Sequence, residues 1–289
     1  MKAAEFAFAR PGTIDEVLTL LRSADGDARL LAGGQSLVPM LHMRLVQPSL
    51  VIDLGLVDGL SAVDIDGAWL RIGAMTRYSC LERDPLVAAN IPLLANAVRL
   101  IGDRQVRNCG TLGGSICQAD PVGEMPLVAL ALDAEVLVRS DSTERTIPID
   151  EFLVGAYSTD LDEIELVEAV RFPLGPHRSI IKEITRRHND FAVVSIAITA
   201  VPVGDSFTNV RVAISGIDDR AILADDAMAV LEGTTFDDTM IAKAVSACVD
   251  LGDPATDIRA SADYRRRLIE VHLRRTLERF RDGRGTVGV

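Results

Sequence analysis

The sequence predicts an α+β protein of about two domains, or of one large domain with an appendage. Its 289 residues are 48% hydrophobic, which is enough to build a packed core. The chain opens with a strand, a helix and a second strand, whereas its last third contains strands in succession followed by helical patterns. A stretch with proline and glycine at residues 172–178 separates these patterns and is the predicted domain boundary.

Capping residues and hydrophobic spacing predict the helices. Thr13 and Glu16 form a capping-box pattern at the start of a helix over residues 13–22, and Ser36 is the predicted N-cap of a short helix through Met40. The remaining predicted helices cover residues 93–101, 124–132, 225–231, 240–248 and 261–281.

Short apolar runs and alternating patterns predict the strands. They lie at residues 6–9, 30–32, 51–53, 70–72, 134–138, 166–172, 180–185, 191–201 and 210–215. The longest uncharged apolar stretch, residues 191–203, falls short of the roughly 18 residues of a membrane span and is interpreted as a buried strand.

Charge and cysteine content exclude some classes of protein. The formal net charge of −12 argues against a partner with a phosphate backbone, so nucleic acid is not expected. Four scattered cysteines do not form a disulfide framework, and the N-terminal segment carries Glu5 and no targeting pattern. We therefore expect a cytoplasmic protein without an integral membrane segment.

The residue spacings do not predict a metal site, a cluster site or a nucleophile in this chain. The histidines show no HExxH spacing and the cysteines no CxxC pair; they are His42, His177, His188, His272, Cys80, Cys109, Cys117 and Cys248. A GxSxG elbow is absent as well. The basic run Arg265-Arg266-Arg267 is interpreted as a solvated helix face or a subunit contact.

Two diglycine segments are the strongest candidates for ligand binding. The first is AGGQS at residues 32–36 and the second is TLGGS at residues 111–115. Adjacent glycines leave backbone N–H groups open to a ligand, as phosphate-binding loops require. Each segment alone is also compatible with a plain turn, and neither GxGxxG nor GxxxxGK[ST] occurs in the chain, which disfavours Rossmann and P-loop enzymes.

The motifs VRNCGTLGGSICQADPVGEMP (residues 106–126) and LLAGGQSLVPMLHMRL (residues 30–45) resemble the flavin-binding medium subunit of the molybdenum hydroxylases. This family includes bacterial carbon monoxide dehydrogenase and the flavin domain of xanthine dehydrogenase. The resemblance extends to KEITRRHNDFAVVS (residues 182–195) and ASADYRRRL (residues 260–268), so it covers nearly the whole chain. It implies a two-part FAD-binding domain of the PCMH, vanillyl-alcohol oxidase-like type, followed by a C-terminal α+β domain.

The resemblance divides the chain at residues 1–54, 55–175 and 176–289, as two FAD-binding subdomains and a C-terminal flavoprotein domain. It also nominates residues for the FAD pyrophosphate, namely Leu31, Ala32, Gly33, Gly34, Gln35, Ser36, Leu37, Thr111, Leu112, Gly113, Gly114 and Ser115. Glu124, with Asp120 nearby, is expected to contact the ribose or phosphate side of the flavin nucleotide. Lys182 and a strand at Ile164 to Leu166 are expected near the flavin ring. Gln35 stands where some family members carry histidine, which leaves that contact open.

The implied function is electron relay. A partner molybdenum subunit, with molybdopterin, hydroxylates the substrate, a partner [2Fe-2S] subunit carries electrons, and FAD in this chain passes them to an external acceptor. The family suggests a heterotrimer, with its dimerisation left open, and no catalytic acid, base or nucleophile in this chain. A stand-alone FAD oxidoreductase and a flavin-less scaffold subunit remain as alternatives.

Overall fold

The structure, a computed structural model, describes residues 2–141, 143–175, 177–187 and 189–283. His188 and the polar tail beyond residue 283 lie outside the described residues. Three larger sheets follow one another along the chain and fall within the three predicted segments. The boundaries of those segments remain predictions.

The first segment is a small parallel sheet with one amphipathic helix packed on it. Its elements are β1 (Ala7–Ala9), α1 (Ile14–Ser23), β2 (Ala28–Leu31), α2 (Leu37–Met43) and β3 (Leu50–Asp53). The strand order is β1-β3-β2, with both pairs parallel. The side chain of Thr13 accepts a hydrogen bond from the Glu16 amide and caps α1, which buries Val17, Leu18 and Leu21.

The second segment wraps helices over one antiparallel sheet. Its first part contains β4 (Val63–Asp66), β5 (Trp69–Gly73), α3 (Tyr78–Leu81), α4 (Pro85–Asn90), α5 (Pro92–Val98), α6 (Arg104–Cys109), α7 (Leu112–Gln118) and α8 (Glu124–Ala131). Its second part contains β6 (Glu135–Arg139), β7 (Glu144–Pro148), α9 (Ile149–Phe152), β8 (Leu153–Gly155), β9 (Ser158–Thr159) and β10 (Leu166–Pro173). The sheet order is β4-β5-β10-β6-β7, and β8 and β9 form a separate hairpin.

The third segment places helices on one face of a second antiparallel sheet. Its elements are β11 (Arg178–Thr185), β12 (Ala192–Val203), β13 (Ser206–Ser215), β14 (Ile222–Leu223), α10 (Asp225–Leu231), α11 (Asp238–Ala247) and α12 (Ala262–Arg281). The strands pair in the order β11-β12-β13-β14. Among the described residues, no helix has the length and apolarity needed to cross a membrane.

Helix α8 joins the second and third segments. Its residues from Met125 to Ala131 are all buried, because the helix packs against β12 and β13 of the following sheet. At its C-terminal end, Thr199 Oγ1 donates to the Ala131 carbonyl (2.7 Å) and Arg211 donates to the Leu130 carbonyl (2.9 and 3.1 Å). These bonds satisfy carbonyls that a helix end leaves unpaired.

The α+β class is confirmed, and so are most of the predicted elements, including α8 and the long buried strand β12. Ser36 is the N-cap residue of α2, as predicted, although its side chain makes no capping hydrogen bond. One detail was wrong. Arg265 is buried instead of solvated, and it donates to the carbonyls of Val193 and Gly216 and to Asp257 Oδ2.

Three aromatic rings anchor the third segment: Phe207, Phe236 and Phe280 have centroids 4.7–5.5 Å apart, and all are buried. We predict that Phe280→Ala lowers the free energy of unfolding by about 3–5 kcal/mol, because it leaves a cavity at this contact. Chemical denaturation followed by circular dichroism measures the change. Phe8→Ala, at a half-exposed ring, is the control and changes stability by about 0.5 kcal/mol or less. Equal losses in both variants would contradict this prediction.

Candidate cofactor-binding site

The first diglycine segment connects the end of β2 to α2. Gly34 has a φ of 71°, in the left-handed region that favours glycine. None of the backbone amides of residues 33–37 donates to an acceptor in the described part of the chain. The side chain of Gln35 folds back and donates to the Gly33 carbonyl (3.1 Å), so it does not occupy those amides. Consecutive amides without acceptors are suited to bind an anion.

The second diglycine segment begins a helix. Thr111 is the N-cap of α7, and its Oγ1 accepts from the Gly114 amide (3.1 Å). The Leu112 and Gly113 amides donate to the carbonyls of Thr76 and Ala74. These amides already have acceptors inside the protein, so they are not free to bind a ligand. The TLGGS segment therefore contributes to the site mainly through its shape.

The structure brings the two segments into direct contact. A Cβ on Gly33 would collide with the Cys109 carbonyl, and a Cβ on Gly113 would collide with Ala74. A Cβ on Gly114 would lie 3.4 Å from Ala32 Cβ and 2.8 Å from Thr111 Oγ1. Glycine is therefore required at Gly33 and Gly113 by close packing, and both segments form the wall of one site.

Tyr78 supports the second segment from below, which the sequence analysis missed. Its side chain is buried, and burial raises its pKa; Ser115 has a smaller, lowering effect and Glu124 a smaller, raising one. A Cβ on Gly110 would lie 2.7 Å from its ring. Tyr78 thus packs closely against the backbone at Gly110 and helps to fix its position just before Thr111.

The two predicted acidic residues follow α7, where Ala119 adopts φ 46° and ends the helix. Asp120 Oδ1 accepts from the Val122 amide (3.0 Å), and Tyr157 Oη lies 3.5 Å from Asp120 Oδ2. Glu124 opens α8, and burial, with a smaller effect of Asp120, raises its pKa to about 7. Their contact with a ribose or phosphate stays a prediction.

The predicted flavin-ring residues are less closely grouped. Ile164 is exposed, whereas Leu166 is buried in the core of the first segment, together with Val17 and Ile52. Because its side chain is buried, Leu166 could contact a cofactor only through its backbone. The role of both residues at a ring also stays a prediction.

Lys182 lies on the face of β11 that turns toward α12. Its strand neighbours Ile180 and Ile184 belong to the core of the third segment, and side chains alternate along a strand. Burial lowers the pKa of Lys182, and Arg279 on α12 lowers it further. The opposite face carries Glu183, which is turned toward the second segment, as is Ile181. A position of Lys182 near the flavin remains a prediction.

A cation lies over an aromatic ring where β12 begins. The Arg259 guanidinium stacks over the Phe191 ring at 4.7 Å, and its Nη1 is buried without a hydrogen-bond partner among the described residues. Arg259 also acts electrostatically on Tyr157, which approaches Asp120. Because residues 191 and 259 are far apart in sequence, no local motif predicts this pair.

The described residues contain no group of three or more His, Cys, Asp or Glu side chains that could hold a metal ion. His177 Nδ1 lies 3.0 Å from the Gly175 carbonyl, and burial lowers the pKa of His272. The residues present are instead suited to bind an anion, because the amides of residues 33–37 have no acceptor among the described residues and Gly33 lies close to the Cys109 backbone. These residues fit the pyrophosphate of a dinucleotide, since unpaired amides and close backbone approach are what such a group needs.

Glu183 makes the stability of the folded protein depend on pH. Burial and the neighbouring Glu124 raise its pKa from 4.5 to about 8. Between these values the unfolded chain ionises while the folded chain keeps the proton, so stability falls as pH rises from about 4.5 to about 8. We predict that Glu183→Gln removes this loss and stabilises the protein above pH 8, as thermal unfolding at several pH values will measure.

Glu151→Gln, at an exposed glutamate, is the matched control and leaves the pH profile unchanged. A difference in stability between the wild type and Glu183→Gln that does not change over this interval would contradict the assignment of Glu183.

Comparisons with known proteins bear directly on these observations. Residues 4–175 match the family model "FAD binding domain in molybdopterin dehydrogenase", and residues 179–280 match "CO dehydrogenase flavoprotein C-terminal domain". The chain is 37% identical to the nicotine 6-hydroxylase medium subunit of Paenarthrobacter nicotinovorans, covering 96% of this chain and 98% of the relative. It is 32% identical to the carbon monoxide dehydrogenase medium chain of Hydrogenophaga pseudoflava, over 94% and 96% of the two chains.

Solved structures agree with this fold. Carbon monoxide dehydrogenase from Hydrogenophaga pseudoflava superposes with a TM-score of 0.94 at 33% identity, over 96% of this chain and 98% of that chain. Quinoline 2-oxidoreductase from Pseudomonas putida 86 gives a TM-score of 0.93 at 33% identity, over 98% and 99%. The family indicated by the sequence motifs is confirmed, as is an FAD-binding domain followed by a C-terminal flavoprotein domain. The chain belongs to the FAD-binding medium-subunit family of the molybdenum hydroxylases.

Proposed function

We propose that this chain is the electron-transfer subunit of a molybdenum hydroxylase complex, in which its FAD takes electrons from a [2Fe-2S] subunit and passes them to an external acceptor. The observation that carries the proposal is the series of unpaired amides at residues 33–37, held against the second glycine segment. Bound FAD supplies the redox chemistry, because it accepts electrons singly or in pairs.

The chain's own residues bind and orient this cofactor. The proposed pyrophosphate site comprises residues 31–37 and residues 111–115, whose glycines let the two backbones meet. Within the first range, the amides of residues 33–37 have no acceptor among the described residues. Asp120 and Glu124 are proposed for the ribose side, and Ile164, Leu166 and Lys182 for the ring. No catalytic acid, base or nucleophile toward the complex's substrate is assigned to this chain.

The proposed partners are an iron–sulfur small subunit and a molybdenum large subunit with molybdopterin, assembled as a heterotrimer. Support comes from the names of the relatives, which include medium subunits and a "6-hydroxypseudooxynicotine dehydrogenase complex subunit alpha". The proposal includes a cytoplasmic location, which is supported by four cysteines that all remain free thiols.

Gly33→Ala tests the pyrophosphate site. Its methyl group would collide with the Cys109 carbonyl and force the two segments apart. Overpacking of this kind costs about 1–3 kcal/mol, so we predict that FAD binds about ten- to hundredfold more weakly. Titration of the FAD-free chain, followed by flavin fluorescence, measures the affinity.

The matched control is Gly175→Ala, where a Cβ would meet no atom within 4 Å. It is expected to bind FAD as the wild type does. A Gly33→Ala chain that folds and retains wild-type affinity would refute the two-segment site.

Purification of the tagged chain from its own cells tests the proposed complex. We predict two copurifying subunits, with iron and molybdenum present in fixed ratio to FAD by elemental analysis. A chain that purifies alone with FAD and oxidises a substrate without partners would instead identify a stand-alone oxidoreductase, and a chain that purifies without flavin would identify a scaffold.

A further inference from the structure

Arg77 lies directly beside the second glycine segment. It pairs with Thr111 in an isolated antiparallel bridge. The Leu112 amide donates to the Thr76 carbonyl on one side of this pair, and the Tyr78 amide donates across the other side. Because these bonds flank the pair, Arg77 and Thr111 form a non-hydrogen-bonded pair, in which the Cα atoms lie about 4.5 Å apart and the two side chains share one face.

The side chain of Thr111 shows which way this face is turned. Its Oγ1 accepts a hydrogen bond from the Gly114 amide (3.1 Å). A Cβ on Gly114 would lie 2.8 Å from this Oγ1 and 3.4 Å from Ala32 Cβ, in the first glycine segment. The face that Arg77 shares with Thr111 is therefore turned toward the junction of the two segments, where the loop with the amides of residues 33–37 begins.

The guanidinium of Arg77 is available to a ligand. The residue is exposed, and its side chain has no hydrogen bond or ion pair among the described residues. Arg107, near the same segment in the chain, is by contrast held by two backbone carbonyls and by Glu82. Within the described part of the chain, Arg77 therefore keeps its N–H donors and its positive charge for a partner outside the protein.

Local structure does not explain an arginine at this position. Arg77 is the N-cap of α3, where Ser, Thr, Asp and Asn are favoured, and its side chain makes no capping hydrogen bond. The bridge to Thr111 is formed by backbone atoms, which other side chains would permit equally well. An arginine that neither caps its helix nor pairs with an acid among the described residues is suited to bind a ligand.

The pyrophosphate of FAD needs a cation that the two glycine segments do not provide. Residues 31–37 and 111–115 contain no Lys or Arg. The amides of residues 33–37 offer only partial positive charges, whereas a pyrophosphate linkage carries full negative charges. The chain as a whole has a net charge of −12, so a cation at the site would offset the repulsion of the cofactor.

We propose that Arg77 binds the pyrophosphate of FAD and is the cation of the site that the two glycine segments form, an inference that rests on the proposed function. A guanidinium is planar and donates two parallel hydrogen bonds to phosphate oxygens, so it contributes charge and orientation together. The first segment then supplies amides, the second supplies shape, and Arg77 supplies the charge. This combination selects a flavin dinucleotide over a flavin without phosphate.

Arg77→Gln in the full chain tests this contact. FAD is titrated into the FAD-free chain at several salt concentrations, with flavin fluorescence as the readout. We expect about ten- to hundredfold weaker binding, as for the loss of a hydrogen bond to a charged group. Salt should weaken binding less in Arg77→Gln than in the wild type, because one ionic contact is gone. Arg77→Lys keeps the charge but not the paired donors, so it should recover part of the affinity.

The matched control is Arg99→Gln, at an exposed arginine that also lacks an ion pair among the described residues; it should bind FAD as the wild type does. Both arginines are exposed, so all variants should keep the wild-type circular dichroism spectrum. Wild-type affinity in Arg77→Gln, or weaker binding with an unchanged salt dependence, would overturn the role of Arg77 while leaving the proposed function intact. A wild-type chain that takes up no FAD would contradict the proposed function itself.

Discussion

The direct contact between the two glycine segments is the constraint on which the cofactor site depends. The backbone at Gly33 lies against the Cys109 carbonyl so closely that a single methyl group does not fit. This contact holds the loop after β2 against the C-terminal end of α6, two residues before Thr111. The amides of residues 33–37, beside this contact, have no acceptor within the part of the chain that the structure describes. A dinucleotide pyrophosphate satisfies such amides, so the packing of two backbones creates the binding chemistry.

The second constraint is the burial of α8 between the cofactor-binding segments and the C-terminal sheet. An apolar helix with no solvated face needs cover on every side; β12 and β13 cover α8 on one side, and α5 and α7 are among the other elements that contact it. The side chains of Thr199 and Arg211 and the amide of Gly216 fix the direction of the helix, because each donates a hydrogen bond to a backbone carbonyl of the helix or of the turn before it. The C-terminal domain is thereby held in one orientation, with Glu183 turned toward the turn that ends α7. Stability and the placement of polar groups at this junction arise from the same packing.

Local sequence signals predicted a large part of this structure. The capping residue Thr13, the apolar run of α8 and the glycine pairs all act over a few residues, so their spacing is informative. Features that depend on strand register or on distant residues were not accessible in this way. The sequence cannot show that Lys182 and Glu183 face opposite partners, that Arg265 is buried by the carbonyls of Val193 and Gly216, or that Arg259 covers Phe191. Each of these is decided by tertiary contacts.

The most direct test of the central claim is the visible absorption spectrum of the purified full chain, with the chromophore released by heat, identified and quantified. The account predicts flavin bands, and a released chromophore that is FAD at one molecule per chain. FAD that is taken up from solution by a colourless chain to the same stoichiometry would agree equally well. A colourless chain that takes up no added FAD would contradict the claim that the two glycine segments form a complete cofactor site in this polypeptide.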